Sequence, residues 1–154
     1  TMVPAFVIFK YLGWIGTRLP LIIPSFGGSA YNIFMLRQFM MGIPRELDEA
    51  AKIDGCSSVG ILIKILVPNM APVFATLFIF LFTSIWSDYL APSIYLVERE
   101  QHTLSLALYN LRTAYAVDWK STMAGSVMFA VPMVIVLFAM QRFFVEGIVV
   151  TGIK

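Results

Sequence analysis

Residues 48–55 read DEAAKIDG, a polar patch in an otherwise apolar stretch. Four of the eight are ionisable, Asp48, Glu49, Lys52 and Asp54, and the small residues Ala50, Ala51 and Gly55 lie among them. The carboxylates of Glu49 and Asp54 can accept charge-assisted hydrogen bonds from basic groups on a partner. Ala50 and Ala51 give a low-profile surface on which a partner's groove could close. The other candidate groups are sparse. His102 is the single histidine and Cys56 the single cysteine. A metal site needs several such ligands, so neither a metal nor an internal disulfide is expected, and no catalytic residue is assigned. Asp88 ends a long uncharged run. It either shapes a translocation gate or path, or lies at the outer interface beside Trp86 and Tyr89 as part of an aromatic belt. Tyr31 and Asn32 sit within an apolar run, where they could bond a sugar hydroxyl or a neighbouring helix.

The surroundings of these residues point to a bilayer. The chain of 154 residues is 59% hydrophobic and 13% charged, against about 25% charged in a soluble domain. A net charge of +2 is too small to suggest a nucleic-acid partner. Membrane lipid is the expected surrounding, and a bilayer crossing needs about 20 predominantly apolar residues. Gaps between charges place spans near 19–40, 65–90 and 121–142, with residues 1–12 as the end of another. The start reads as a cut within a longer protein, with further spans expected ahead of it. Helix breakers fall inside the spans: Pro24 with Gly27 and Gly28, then Pro68 and Pro72, then Pro132. Within a bundle, neighbours can re-satisfy the backbone groups these residues free. The small residues of SFGGSA (25–30) suit either close helix packing or a bend beside a substrate path.

Two polar connections remain, a loop at 43–58 and one at 96–120, on opposite sides of the membrane. The first side, with the C-terminal tail, carries six Lys/Arg and the other five. That difference gives little orientation by the positive-inside rule. In the first loop, Pro44 suits the first position of a helix and Glu46, Asp48 and Glu49 suit its positive end. Gly55 suits a left-handed stop, and Ser57 or Ser58 can cap a second helix running toward Pro68. On these residues alone the first helix is either a solvated loop or a docking surface. In the second loop, Thr103 can cap a helix whose Leu104, Leu108 and Leu111 form one apolar stripe.

Glu49-Ala50-Ala51, three residues, Gly55, nine residues, Ile65, two residues, Pro68 resembles the E-A-A-x3-G-x9-I-x-L-P loop of inner-membrane permease subunits of binding-protein-dependent ABC importers. Val67 stands where Leu is usual. The segment from Ile33 to Gly55 is similar to the carbohydrate-uptake branch, in particular the maltose system's second permease. SIWSDYLAP resembles that branch's W-N-D/E-F-x-x-P stretch, with Ser87 in place of Asn. TLSLAL resembles its T-L-P-V-G-L segment without the Pro and Gly, and QRFFVEGIVVTGIK resembles its ending.

The resemblance implies an all-α, polytopic transmembrane helix bundle in the inner membrane, with a cytoplasmic coupling helix. It implies a non-enzymatic subunit that moves a sugar or oligosaccharide. Glu49, Ala50, Ala51 and Gly55 would then contact a separate ATPase dimer, and a bulky residue at Ala51 would prop the helix away from it. A sister permease and an extracytoplasmic substrate-binding protein are the other implied partners. The tail from Gly147 to Lys154 resembles tails that reach between the two ATPases. Another cargo, such as glycerol phosphate or a polyol, is the alternative. No G-x-x-x-x-G-K-[ST] phosphate cradle occurs in the chain, so no cofactor is expected here and ATP would belong to the partner. An intramembrane enzyme or proton-coupled carrier would need convergent ionisable groups inside the spans, and a channel would need a filter or charged ring. The spans carry neither.

Overall fold

The computed structural model describes residues 2–113 and 118–151. Among them every regular element is helical, in keeping with the all-α class. Ten α-helices follow in order: α1 (Met2–Tyr11), α2 (Leu19–Ile22), α3 (Ala30–Met41), α4 (Arg45–Ile53), α5 (Ser58–Ile61), α6 (Val67–Asn69), α7 (Ala71–Ser87), α8 (Leu90–Tyr95), α9 (Leu104–Thr113) and α10 (Trp119–Thr151). Short 3-10 turns occupy Ile23–Gly27 and Arg99–Gln101, and a π-helical turn occupies Leu62–Leu66. The tail beyond Thr151 and the part of the outer loop at 114–117 lie outside the described residues.

Length and composition mark Leu19–Met41 and Trp119–Gln141, 23 residues each, as able to cross a bilayer. At about 1.5 Å per residue such a helix exceeds the roughly 30 Å hydrocarbon core. The first segment is interrupted at Gly28, whose φ of +73° only glycine adopts without strain, and at extended Ser29. A third crossing is built from a bent pair, Ser58–Asn69 and Ala71–Ser87, with 71° between them. Two prolines flank this elbow. Each lacks an N–H and crowds the turn before it. Asn69 Nδ2 donates to Ile65 O at 2.7 Å and Thr76 Oγ1 to Pro72 O at 2.9 Å. The wider π turn before Pro68 takes up the ring's clash.

The chain divides into two compact units. The first holds residues 1–28 and 82–135. Its aromatic centre is Tyr95, buried against Phe6 (6.4 Å between rings) and Phe9 (5.3 Å), with the Tyr95 carbonyl accepting from Gly16 N–H at 2.9 Å. Trp86 stacks on Phe82 and packs on Phe129, and its Nε1 donates to Phe129 O at 3.1 Å. That carbonyl lies one turn before Pro132, where the helix ladder is already disturbed.

Thr103 does cap α9, accepting from Leu106 N–H at 3.4 Å. The Leu104/Leu108/Leu111 stripe is only half-buried, however, while Leu106, on the opposite side of the helix, is 2% exposed. The helix is therefore packed on two faces. Ser105 Oγ donates to Asp88 O at 2.6 Å and Tyr109 stacks on Tyr89 at 4.5 Å.

The second unit holds residues 29–81 and 136–154. Its core is Met70, Val73 and Leu77, with Met35, Leu36 and Ile43 packed against them. Met70 sits at the elbow itself, so burial of its side chain helps fix the bend.

Asp118 opens α10. Its carboxylate accepts from the Ser121 hydroxyl and from the N–H groups of Ser121 and Lys120. These bonds, led by the Ser121 hydroxyl, hold its pKa below the usual carboxylate range. A carboxyl with a depressed folded pKa adds stability that is complete above the unfolded pKa, near 3.9, and is lost as pH falls through the folded value. Wild-type protein and Asp118→Asn should therefore differ in thermal midpoint at neutral pH and converge as the pH is lowered through the acid range. A difference that is constant with pH would assign the cap no charge component.

Candidate functional site

The charged loop folds as α4, a tight turn and α5. Pro44 lies one residue outside the position expected for it. It is the N-terminal cap of α4, with ψ 132°, and its carbonyl accepts from Leu47 N–H at 3.3 Å. Nothing is lost by this, since proline has no N–H to leave unpaired. Glu46 and Asp48 occupy the first turn and Lys52 the last, each at the end of the helix dipole that favours its charge.

The end of α4 is a Schellman turn. Cys56 N–H bonds Ala51 O at 2.9 Å and Gly55 N–H bonds Lys52 O at 3.0 Å, with Gly55 at φ +78°. One residue later Ser57 starts α5, its Oγ accepting from Gly60 N–H at 3.2 Å. Of the two serines, Ser57 is therefore the cap.

This geometry separates the residues that the sequence grouped together. Glu46, Glu49, Ala50 and Ile53 fall at i, i+3, i+4 and i+7 on one face and all are exposed, Ile53 by 86%. Asp54 and Gly55 are exposed at the turn. Ala51, by contrast, is 6% exposed and is buried within its own chain. The expectation that a bulky residue at Ala51 would hold off a partner is corrected: the turn folds α5 back over that side, so added bulk would wedge α4 from its own neighbours. Pro68 lies on α6 at the elbow, not on α4. Cys56 is half-buried. Asp48 Oδ1 is shielded from solvent and has no hydrogen-bond partner among the described residues.

The residues considered for a path are not gathered in one place. Tyr31 and Asn32 lie on α3, in the second unit, and neither side chain makes a hydrogen bond among the described residues. Trp86 is engaged with Phe129 in the first unit. Asp88 lines a cavity of about 430 Å³ that lies wholly in the first unit, with Ser25, Ser84, Ser87 and Thr103 as the other polar walls. Its Oδ1 also accepts from Leu90 N–H at 2.9 Å and Ala91 N–H at 3.3 Å. Asp88 is therefore a cap of α8, a role signalled in the sequence by an aspartate just ahead of a short apolar helix. Among the described residues no three His, Cys, Asp or Glu side chains converge as metal ligands would.

A Cβ at Gly55 would meet no atom within 4 Å, so a substitution there tests conformation alone. Gly55→Ala should weaken the turn by about 1–2 kcal/mol, the usual penalty of a left-handed L-residue. Gly55→Asn should lose less, because asparagine tolerates that conformation. Limited proteolysis of the α4–α5 turn in the assembled membrane protein should rank Ala above Asn above wild type in cleavage rate.

The chain was compared with known proteins. The binding-protein-dependent transport system inner membrane component family matches residues 1–150. The arabinooligosaccharides transport system permease protein AraQ of Halalkalibacterium halodurans is 36% identical over 153 residues, covering 99% of this chain and 54% of that protein. The lactose transport system permease protein LacG of Rhizobium radiobacter is 35% identical over 146 residues, covering 95% of this chain and 53% of that protein. A crystal structure of a bacterial ABC transporter involved in the import of the acidic polysaccharide alginate matches all of this chain and 56% of its own, with a TM-score of 0.68 and 25% identity. The chain thus spans about half the length of the curated relatives it matches. With nearly its whole length matched, and with helices apolar enough to cross a bilayer, the chain belongs to the inner membrane component family of binding-protein-dependent transport systems.

Proposed function

We propose that the chain is the membrane-spanning permease part of an ABC importer for a sugar or oligosaccharide, driven by a separate ATPase through α4. The observation that carries this reading is the free face of α4. A nine-residue helix with capped ends shows Glu46, Glu49, Ala50 and Ile53 outward while its other side is folded against the chain. An isoleucine that exposed on a short polar helix is suited to burial in a groove, and the flanking carboxylates suit basic groups at its rim. Ala50 lets the helix axis come close. Asp48 Oδ1, shielded and unpaired, adds an acceptor that a partner's donor could satisfy.

The remaining parts follow from the same reading. The ATPase subunits form a dimer, a sister permease completes the path, and an extracytoplasmic binding protein delivers the cargo. The chain performs no hydrolysis itself. The loop 43–58 faces the cytoplasm and the loop 96–120 faces outward. The helix α4 leads through α5 and the π turn to the elbow, so a displacement of α4 reaches α7 along a continuous backbone. Arabinooligosaccharide and lactose permeases among the relatives support a sugar cargo.

Glu49→Lys and Ile53→Asp should each reduce co-purification of the ATPase with the full-length permease and lower ATP-driven uptake at least tenfold, a loss of about 1.4 kcal/mol or more in coupling. Membrane insertion should be unchanged. Wild-type uptake in both variants would remove α4 from the coupling role. For orientation, a cysteine placed at Lys52 should react with an impermeant maleimide only in inverted vesicles, and one at His102 only in right-side-out vesicles. The opposite pattern would reverse the assigned sides.

A further inference from the structure

The cavity of the first unit is lined by polar groups that the fold leaves unused. Asp88 Oδ1 is committed to two backbone N–H groups, while Oδ2 has no hydrogen bond among the described residues. The hydroxyls of Ser84 and Ser87, at the end of α7, likewise have no partner among them. Ser25 donates to Leu21 O, and Thr103 is paired with Ser105, but each hydroxyl oxygen keeps acceptor capacity. Pro20, Ile85 and Pro92 supply apolar walls. The volume, about 430 Å³, falls within the range of about 300–1,000 Å³ usual for small-molecule sites.

We propose that this cavity binds a neutral polyhydroxylated solute, a sugar ring or polyol, and rejects acidic sugars. The proposal rests on the permease reading above and adds to it a site and a charge class for the cargo. Two neighbouring hydroxyls of a sugar can both donate to one carboxylate, and Oδ2 of Asp88 is available to receive them. Ser84 and Ser87 can donate as well as accept, which matches hydroxyls that do both. The C–H face of a ring has Pro20, Ile85 and Pro92 to lie against. No Lys or Arg lines the cavity among the described residues. A uronate would meet Asp88 as a like charge with nothing to offset it, in a shielded space where repulsion exceeds its value in water. A bound cation fits less well, because calcium draws on several oxygen ligands, usually with more than one carboxylate.

The test uses the full-length chain assembled with its sister permease and ATPase subunits in lipid nanodiscs, with native cysteines replaced by serine. A single Ser87→Cys, and separately Ser84→Cys in case the first assembles poorly, is labelled with a fluorescent maleimide. The probes are millimolar maltose, lactose and arabinobiose as neutral disaccharides and digalacturonate as the acidic one. At least one neutral disaccharide should slow labelling several-fold while digalacturonate leaves the rate unchanged. Asp88→Asn keeps an acceptor for the Leu90 and Ala91 N–H groups, and in that background digalacturonate should also protect.

Protection by digalacturonate in the parent protein, or by no neutral probe at either position, overturns the proposal. Uptake of the same probes into proteoliposomes separates the two levels. Import of a neutral disaccharide without protection sinks the cavity alone. Protection without ATP-driven import of any saccharide sinks the transport reading alone.

Discussion

Hydrocarbon offers no hydrogen bonds, so every backbone group that a membrane helix exposes must be answered from within the protein. This chain meets that constraint repeatedly, because its apolar helices carry prolines and glycines. Asn69 answers the carbonyl of Ile65, Thr76 that of Pro72, Ser25 that of Leu21 and Trp86 that of Phe129. The polar side chains inside the apolar segments are therefore largely structural. They permit bends that an unbroken run of leucine and valine could not hold. Where the constraint is relaxed, as at Ser84 and Ser87, the free hydroxyls stand out against this background.

The loop outside the membrane works under the opposite constraint. Water can satisfy any backbone group there, so α4 needs a different reason to be rigid. The Schellman turn and the Ser57 cap supply it, together with the burial of Ala51. A side chain of one carbon at position 51 lets α5 return close to α4. Rigidity here matters because a helix that frayed at its end would absorb a partner's movement instead of passing it on.

Much of this was legible in the sequence, for identifiable reasons. The gaps between charges mark apolar runs because charged side chains are costly in lipid. Gly55 and Ser57 mark a stop and a start because few residue types fill those positions. The burial of Ala51 was not legible, since the tripeptide says nothing about which way each alanine points. That direction depends on where α5 returns. Leu106 was missed because a stripe of leucines implies one buried face, whereas α9 is packed on two. The cap formed by Asp88 was visible in principle, but the cost of a carboxylate near lipid drew attention to burial and away from local bonding. The 71° elbow could be suspected from Pro68 and Pro72. Its angle depends on the π turn and on the packing of Met70, which no local pattern encodes.

The π turn at Leu62–Leu66 has one more consequence. It is a dislocation, one residue more than an α-helix of that length would hold. A dislocation can travel along a helix by exchanging one hydrogen bond at a time, and each step leaves at most one carbonyl unpaired. The segments on its two sides then rotate in phase with respect to each other without the helix ever melting. In a medium that penalises every unpaired group, such sliding is a gentler way to change shape than opening a hinge.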